Sequence, residues 1–283
     1  MQKHRKPNET PVSLKIFSYL VMLGVVIITV YPLLWMIFGS LKSDAEFYSN
    51  IWGPPLNPVL QNYVDAWTKG DLGYKFINSF VVLAGSLGLV LPLTALASYA
   101  IAKLKFAGRN VIFAILLLGM MVPQGVTAIP IFSVVIKMGL LNTRLSLVLV
   151  FSAQAISFSV FLLQAFFRSL PDGIEEAALI DGCSRLGAFI RVILPLSLPG
   201  LATQIVFTGM QVWNEYFMSS ILIRTQDLET LPLSVVDFTG RYATNFPQLF
   251  AALAITTLPV ILLYILGQKQ FISGMTAGAL KDS

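Results

Sequence analysis

The 283-residue sequence is poor in charge, its Lys, Arg, Asp and Glu together making up 12%, and it holds one Cys and one His. A soluble domain carries about 25% charged residues. Half that density, with 56% hydrophobic residues and a mean hydropathy of +0.77, leaves too little polar surface to keep a folded particle in water. The lone Cys excludes an intrachain disulfide, and one Cys with one His excludes a Cys-rich zinc site or a two-histidine metal centre. No metal site is expected. The absence of any Gly-Lys dipeptide rules out a GxxxxGK[ST] phosphate-cradling loop. A Ser-His-Asp triad would have to recruit His4 from a polar tail, so no catalytic residue is expected either.

The uncharged stretches define the organisation, because a helix crossing about 30 Å of hydrocarbon needs roughly 20 residues that face lipid. Lys15 to Lys42 encloses 26 uncharged residues; Lys75 to Lys103, Arg109 to Lys137 and Arg241 to Lys269 enclose 27 each; Arg144 to Arg168 and Arg191 to Glu215 enclose 23 each. Six spans follow. The gap from Glu46 to Asp65 holds Pro54, Pro55 and Pro58, which remove hydrogen bonds that lipid cannot replace, so it reads as an external loop. The expected organisation is an N-terminal tail at 1–15, a first span at 16–41, an external loop at 42–75, five further helices at 76–268 and a C-terminal tail at 269–283. The first run is too long for a signal-peptide core and lacks a small-residue cleavage site. With the N-terminus inside, 12 of the 19 Lys and Arg lie on the inner side, which puts both tails in the cytoplasm. The net charge of +5 sits in short clusters at span ends, where cations meet anionic headgroups rather than nucleic acid.

The longest inner loop, residues 168–199, reads as two short helices joined by a bend. Ser169 with Asp172 is a candidate capping box and Pro171 suits a first helical turn. Asp172, Glu175 and Glu176 sit near the positive end of that helix dipole, and Gly182 suits the left-handed residue that ends a helix. Beyond it Leu186, Phe189, Ile190 and Ile193 form a stripe expected to lie in the membrane interface, with Arg185 and Arg191 reaching headgroups. The small pair Ala177 and Ala178 allows close approach to another surface. Periodicity alone leaves two readings open: a partner-docking helix, or a connector that solvates the bend.

Glu176-Ala177-Ala178, then Gly182, Val192 and Leu194-Pro195, resembles the EAA loop of ABC-importer permeases, EAA-x3-G-x9-I-x-L-P, with Val192 in place of Ile. PLLWMIFGSLK at 32–42, IDG at 180–182, LPLSLPG at 194–200, WNE at 213–215, TLPL at 230–233 and GMTAGALK at 274–281 are similar to the carbohydrate, maltose-type branch of that family. The resemblance implies an all-α, six-helix type I importer fold with a cytoplasmic coupling helix between helices four and five. It implies that Glu175, Glu176, Ala177, Ala178, Asp181 and Gly182 meet a separate ATPase. That partner binds ATP and Mg, and this chain carries no cofactor. The further implied partners are a second, different permease and an extracellular or periplasmic solute-binding protein received by the outer loops. The implied role is half of a sugar path in the bacterial plasma membrane, driven by alternating access.

Glu215 is an acidic residue set within a span beside Trp213 and Asn214. A buried carboxylate in hydrocarbon suggests a cavity or a paired position, so Trp213, Asn214 and Glu215 are candidates for the transport path, with a loop anchor as the other role open to Glu215. Gly85, Gly88, Gly119, Pro92, Pro123 and Pro130 suit either gating hinges or close helix packing. An ion-coupled carrier would need Glu215 as its relay and would leave the EAA loop without a task. A non-transporting scaffold would move nothing.

Overall fold

The computed structural model describes residues 12–236, 238 and 245–279; His4, Arg241 and the ends of both tails lie outside them. α1 (Val12–Ser40) leads into two short helices, α2 (Asp44–Ser49) and α3 (Gln61–Lys69), and then α4 (Leu72–Lys103). The 42–75 segment, expected as an external loop, holds the two short helices α2 and α3. α5 (Arg109–Met120) and α6 (Gln124–Lys137) precede α7 (Arg144–Ser169). α8 (Asp172–Ile180), α9 (Arg185–Leu196) and α10 (Leu198–Trp213) follow, then α11 (Phe217–Leu222), α12 (Leu231–Val235) and α13 (Phe246–Ala279). α13 passes residue 268 without a break.

Among the described residues α1, α4, α7 and the Phe246–Ile265 part of α13 are long and apolar enough to cross a membrane, and two bent pairs, each counted as one span, bring the number to six. The uncharged run from Arg109 to Lys137 is one such pair and not a straight span: α5 and α6 meet at 103°. Pro123 is the cause, its extended backbone (φ −62°, ψ 135°) halting the helix at Met121 and restarting it at Gln124. α9 and α10 meet at 73° across Ser197, between Pro195 and Pro199, and a π-turn at Phe189–Ile193 precedes the bend.

α4 and α7 run parallel as the central pair. Ser86 Oγ donates to the Val148 carbonyl at 3.4 Å and Ser98 Oγ to the Val160 carbonyl at 3.3 Å, each pair 62 residues apart, so the register holds along the seam. Small residues permit this closeness: a Cβ on Gly85 would stand 2.9 Å from Val148 Cγ2, and one on Gly119 2.7 Å from Ser157 Oγ. These two glycines are packing positions. Gly88 has no atom within 4 Å of a built Cβ, while Pro92 and Pro130 lie inside helices.

The two ends of the bundle differ in construction. At one, which we call the loop end, Asn62 Nδ2 donates to the carbonyls of Ser40 (2.9 Å) and Lys42 (2.8 Å), and Asn78 Nδ2 to those of Asp227 and Glu229 (2.8 Å each). Asn142 Oδ1 accepts from the amides of Arg224 (2.9 Å) and Thr225 (3.2 Å). Lys75 pairs with Glu229 at 3.1 Å. The other end carries α8 and is called the hook end below. The outermost layer is α1, whose most apolar window has no residue buried within the chain.

Candidate functional site: the hook and the membrane cleft

α8 starts differently from the capping-box expectation. Pro171 occupies the cap position without a side-chain bond, and Ser169 Oγ donates backwards to the Phe166 carbonyl at 2.7 Å, closing α7. Asp172 is taken by Lys103 Nζ at 2.7 Å. That ammonium hydrogen bond, with its charge, holds the Asp172 carboxyl below the usual carboxylate range. The other end of α8 follows the sequence: Gly182 has φ +87°, Cys183 N–H reaches the Ala178 carbonyl at 3.0 Å and Gly182 N–H the Leu179 carbonyl at 3.1 Å. A side chain at 182 would be strained in that left-handed conformation.

The six candidate coupling residues divide by face. Glu176, Ala177, Asp181 and Gly182 are exposed, and Ile180 beside them is 85% exposed, whereas Ala178 is buried. Glu175 turns inward, its Oε1 accepting from Tyr99 Oη at 2.6 Å. The stripe beyond the bend also divides. Phe189 and Ile193 do not lie in an interface but are buried with Ala95, Tyr99, Leu163 and Phe167, while Leu186 and Ile190 remain exposed. The π-turn, which widens the helix where those two side chains fall, is invisible to a 3.6-residue count. Ser184, unremarked in the sequence, caps α9 by accepting from Gly187 N at 3.1 Å.

The three candidate path residues lie apart from the large cleft. Trp213 is buried, donating from Nε1 to the Thr256 carbonyl at 3.2 Å with its ring edge-on to Phe76. Asn214 Nδ2 donates back to the Met210 carbonyl at 2.9 Å. Glu215 accepts from Met218 N (2.7 Å), Ser219 N (3.0 Å) and Ser219 Oγ (3.1 Å), so its carboxylate satisfies the first turn of α11. The sequence signal for that role was the Ser four residues on.

A cleft of about 990 Å³ opens where α6 bends away from α5, bounded by α7 and α10. Its walls are mainly apolar, including Phe158 and Phe207, with the amides of Gln124, Gln154 and Gln211; no ionisable side chain lines it. Thr127 and Ser146 also face it, but their hydroxyls donate to the carbonyls of Gln124 and Thr143. Gln154 Nε2 is buried without a protein partner. Nothing in a period or spacing marked these glutamines, because the break at Pro123 is what gathers them.

A bundle of six apolar spans, two of them bent, with a short helix projecting from one end is the architecture of a type I ABC importer permease. Residues 90–276 match the model of the binding-protein-dependent transport system inner membrane component, and the chain belongs to that family. It is 33% identical over 274 residues to the "Probable ABC transporter permease protein YurM" of Bacillus subtilis (strain 168), covering 97% of this chain and 89% of that protein. It is 35% identical over 257 residues to the diacetylchitobiose uptake system permease protein NgcG of Streptomyces coelicolor, covering 90% and 85%. A chain of a bacterial ABC transporter involved in importing the acidic polysaccharide alginate superposes with a TM-score of 0.80 at 25% identity, covering 94% of this chain and all of that one.

Proposed function

We propose that this chain forms half of the translocation path of an importer for an uncharged di- or oligosaccharide, opened alternately to either side by ATP hydrolysis on separate subunits. The observation that carries the reading is the division of α8: one face is bonded to the bundle, while Glu176, Ala177, Ile180 and Gly182 face outwards, free to enter a partner's cleft. The hook end is the cytoplasmic one in this reading, and Mg and ATP belong to the docked ATPase. An ATPase that binds the hook differently in two states shifts the population between inward- and outward-open bundles. The uncovered α1 supplies lipid-facing surface and room for a second permease, and the loop end faces the binding protein.

Relatives named for diacetylchitobiose, arabinooligosaccharides and alginate support a saccharide. The cleft supports a neutral one: its amides suit sugar hydroxyls and its aromatic rings suit sugar faces, while no Lys or Arg is present to offset a uronate. The carrier alternative would have to run through Glu215, whose two carboxylate oxygens are bonded within a helix turn.

The test is Ala177→Trp, with Gly182→Asp as a second variant. Each should insert normally yet fail to co-purify with the ATPase, and uptake of the sugar should cease. Recovery of an intact, ATP-hydrolysing complex from both variants would refute the docking role. Passage of solute through vesicles holding this chain alone, without nucleotide, would refute the reading as a whole.

A further inference from the structure

Two side chains one turn apart on the last turns of α4 meet two side chains on the first turns of α8. Tyr99 donates to Glu175 at 2.6 Å, and Lys103, four residues on, donates to Asp172 Oδ1 at 2.7 Å and to the Leu170 carbonyl at 2.6 Å. Positions i and i+4 on one helix face positions i and i+3 on the other, so both bonds form together in one relative orientation. Neither α4 residue is loose: Tyr99 is 5% exposed, and the Lys103 side chain 3%. The Tyr99 ring packs at 4.7 Å from Phe189 and 6.4 Å from Phe167, and those rings meet each other at 6.2 Å. The aromatic triad thus joins α4, α7 and α9 around the same tyrosine that holds Glu175.

We propose that Tyr99 and Lys103 are positioning residues for energy coupling: they latch α8 to α4 so that displacement of the hook moves the α4–α7 pair instead of bending the hook on its own linkers. The proposal rests on the reading of α8 as the ATPase-docking element. Without the latch, α8 keeps its linkers to α7 (Leu170, Pro171) and α9 (Gly182, Cys183), the packing of Ile174 against the cluster around Phe189 and the burial of Ala178, but loses the side-chain bonds that tie it directly to α4. Glu175 is half-buried and the Asp172 side chain 82% exposed, but neither is among the outward-facing Glu176, Ala177, Ile180 and Gly182, and both substitutions below fall on α4, so the docking face is left unchanged.

The test uses the whole complex, with its ATPase subunits and second permease, in lipid. A Cys183→Ser background carries Gly88→Cys, an exposed site on α4 with no neighbour within 4 Å of its Cβ, labelled with a fluorescent maleimide. Mg-ATP with vanadate is the probe. With the latch intact the label responds to nucleotide trapping. In Tyr99→Phe/Lys103→Gln the ATPase should co-purify and hydrolyse ATP as before, while the response falls at least about fivefold, the low end of typical coupling between sites. Lys103→Arg, which keeps the charge, should restore most of it in the Tyr99 background. A full response in the double variant would overturn the latch. Loss of ATPase co-purification would overturn it too, by showing that these residues build the docking surface. Absence of a response with the latch intact would instead overturn the ATP-driven reading beneath it.

Discussion

At the loop end, asparagine amides bridge backbone carbonyls from segments far apart in sequence, whereas at the hook end a tyrosine and a lysine hold one helix through its carboxylates. Asn78 joins α4 to residues 227 and 229 and accepts from Arg144 Nε at 2.8 Å, so three segments share one side chain. The polar bonds of Tyr99 and Lys103 to α8 end on the carboxylates of Glu175 and Asp172 and leave the outer face of α8 bare. The difference teaches how a membrane bundle divides its labour. Main-chain carbonyls bonded by a short amide allow almost no relative movement, which suits a surface that must keep its shape. Longer side chains bonding carboxylates hold an element by its side chains alone and leave its backbone surface available to a partner.

The comparison breaks most sharply at Asn78. Asn78→Ala strips partners from two carbonyls and from Arg144 Nε, and should destabilise the chain by about 3 kcal/mol, read as thermal unfolding in detergent. Tyr99→Phe removes the hydroxyl that bonds the half-buried Glu175 carboxylate and, at 3.5 Å, the Arg185 carbonyl, and should cost about 2 kcal/mol in the same assay while reducing coupling far more. Equal unfolding shifts for the two would erase the distinction between the ends.

Glycines sharpen it at the level of packing. A Cβ on Gly200, beside the hook end, would stand 2.6 Å from the Phe166 ring, so Gly200→Ala should destabilise by about 1–3 kcal/mol through overpacking. Gly88→Ala has open space and should be neutral or gain up to about 1 kcal/mol of helix propensity. Thermal shifts of both, measured side by side, decide whether the space beside each glycine sets the cost of adding a Cβ.

The smallest expected effect concerns Lys42 at the loop end. Its ammonium is buried beneath the carbonyls of Asn50 and Ile51, and desolvation lowers its pKa, with Glu46 opposing. A lowered amine pKa means that, just below the ordinary lysine value of about 10.4, the unfolded chain holds a proton the folded chain sheds. Stability should therefore rise slightly as pH climbs through that window. Lys42→Met should remove that increment; a slope that persists in the variant would assign it elsewhere.

Much of this was legible in residues that obey a single local constraint. Gly182 ends α8 because its backbone must be left-handed, and EAA spacing located the hook. What eluded sequence reading were roles set by a neighbour distant in the chain. Glu175 and Glu176 are adjacent and chemically alike, yet one is bonded to Tyr99 and the other is exposed, because α8 meets α4 on one face only. Phe189 and Ile193 fit an interface stripe until the π-turn carries them into the core. Pro123 was open to a hinge or a packing role within one expected span, and the cleft behind its 103° bend takes its walls from α7 and α10.

The sequence by itself determined which stretches are apolar enough to cross a membrane, since lipid offers no hydrogen bonds and a crossing needs a long uncharged run whose backbone bonds are satisfied internally. It also determined that a short acidic helix ending at Gly182 stands between two spans. Tertiary structure alone decided which face of that helix is held and which is bare, and that three glutamines line one cleft. Those outcomes depend on which surfaces meet when helices pack, and close packing is settled among all of them at once.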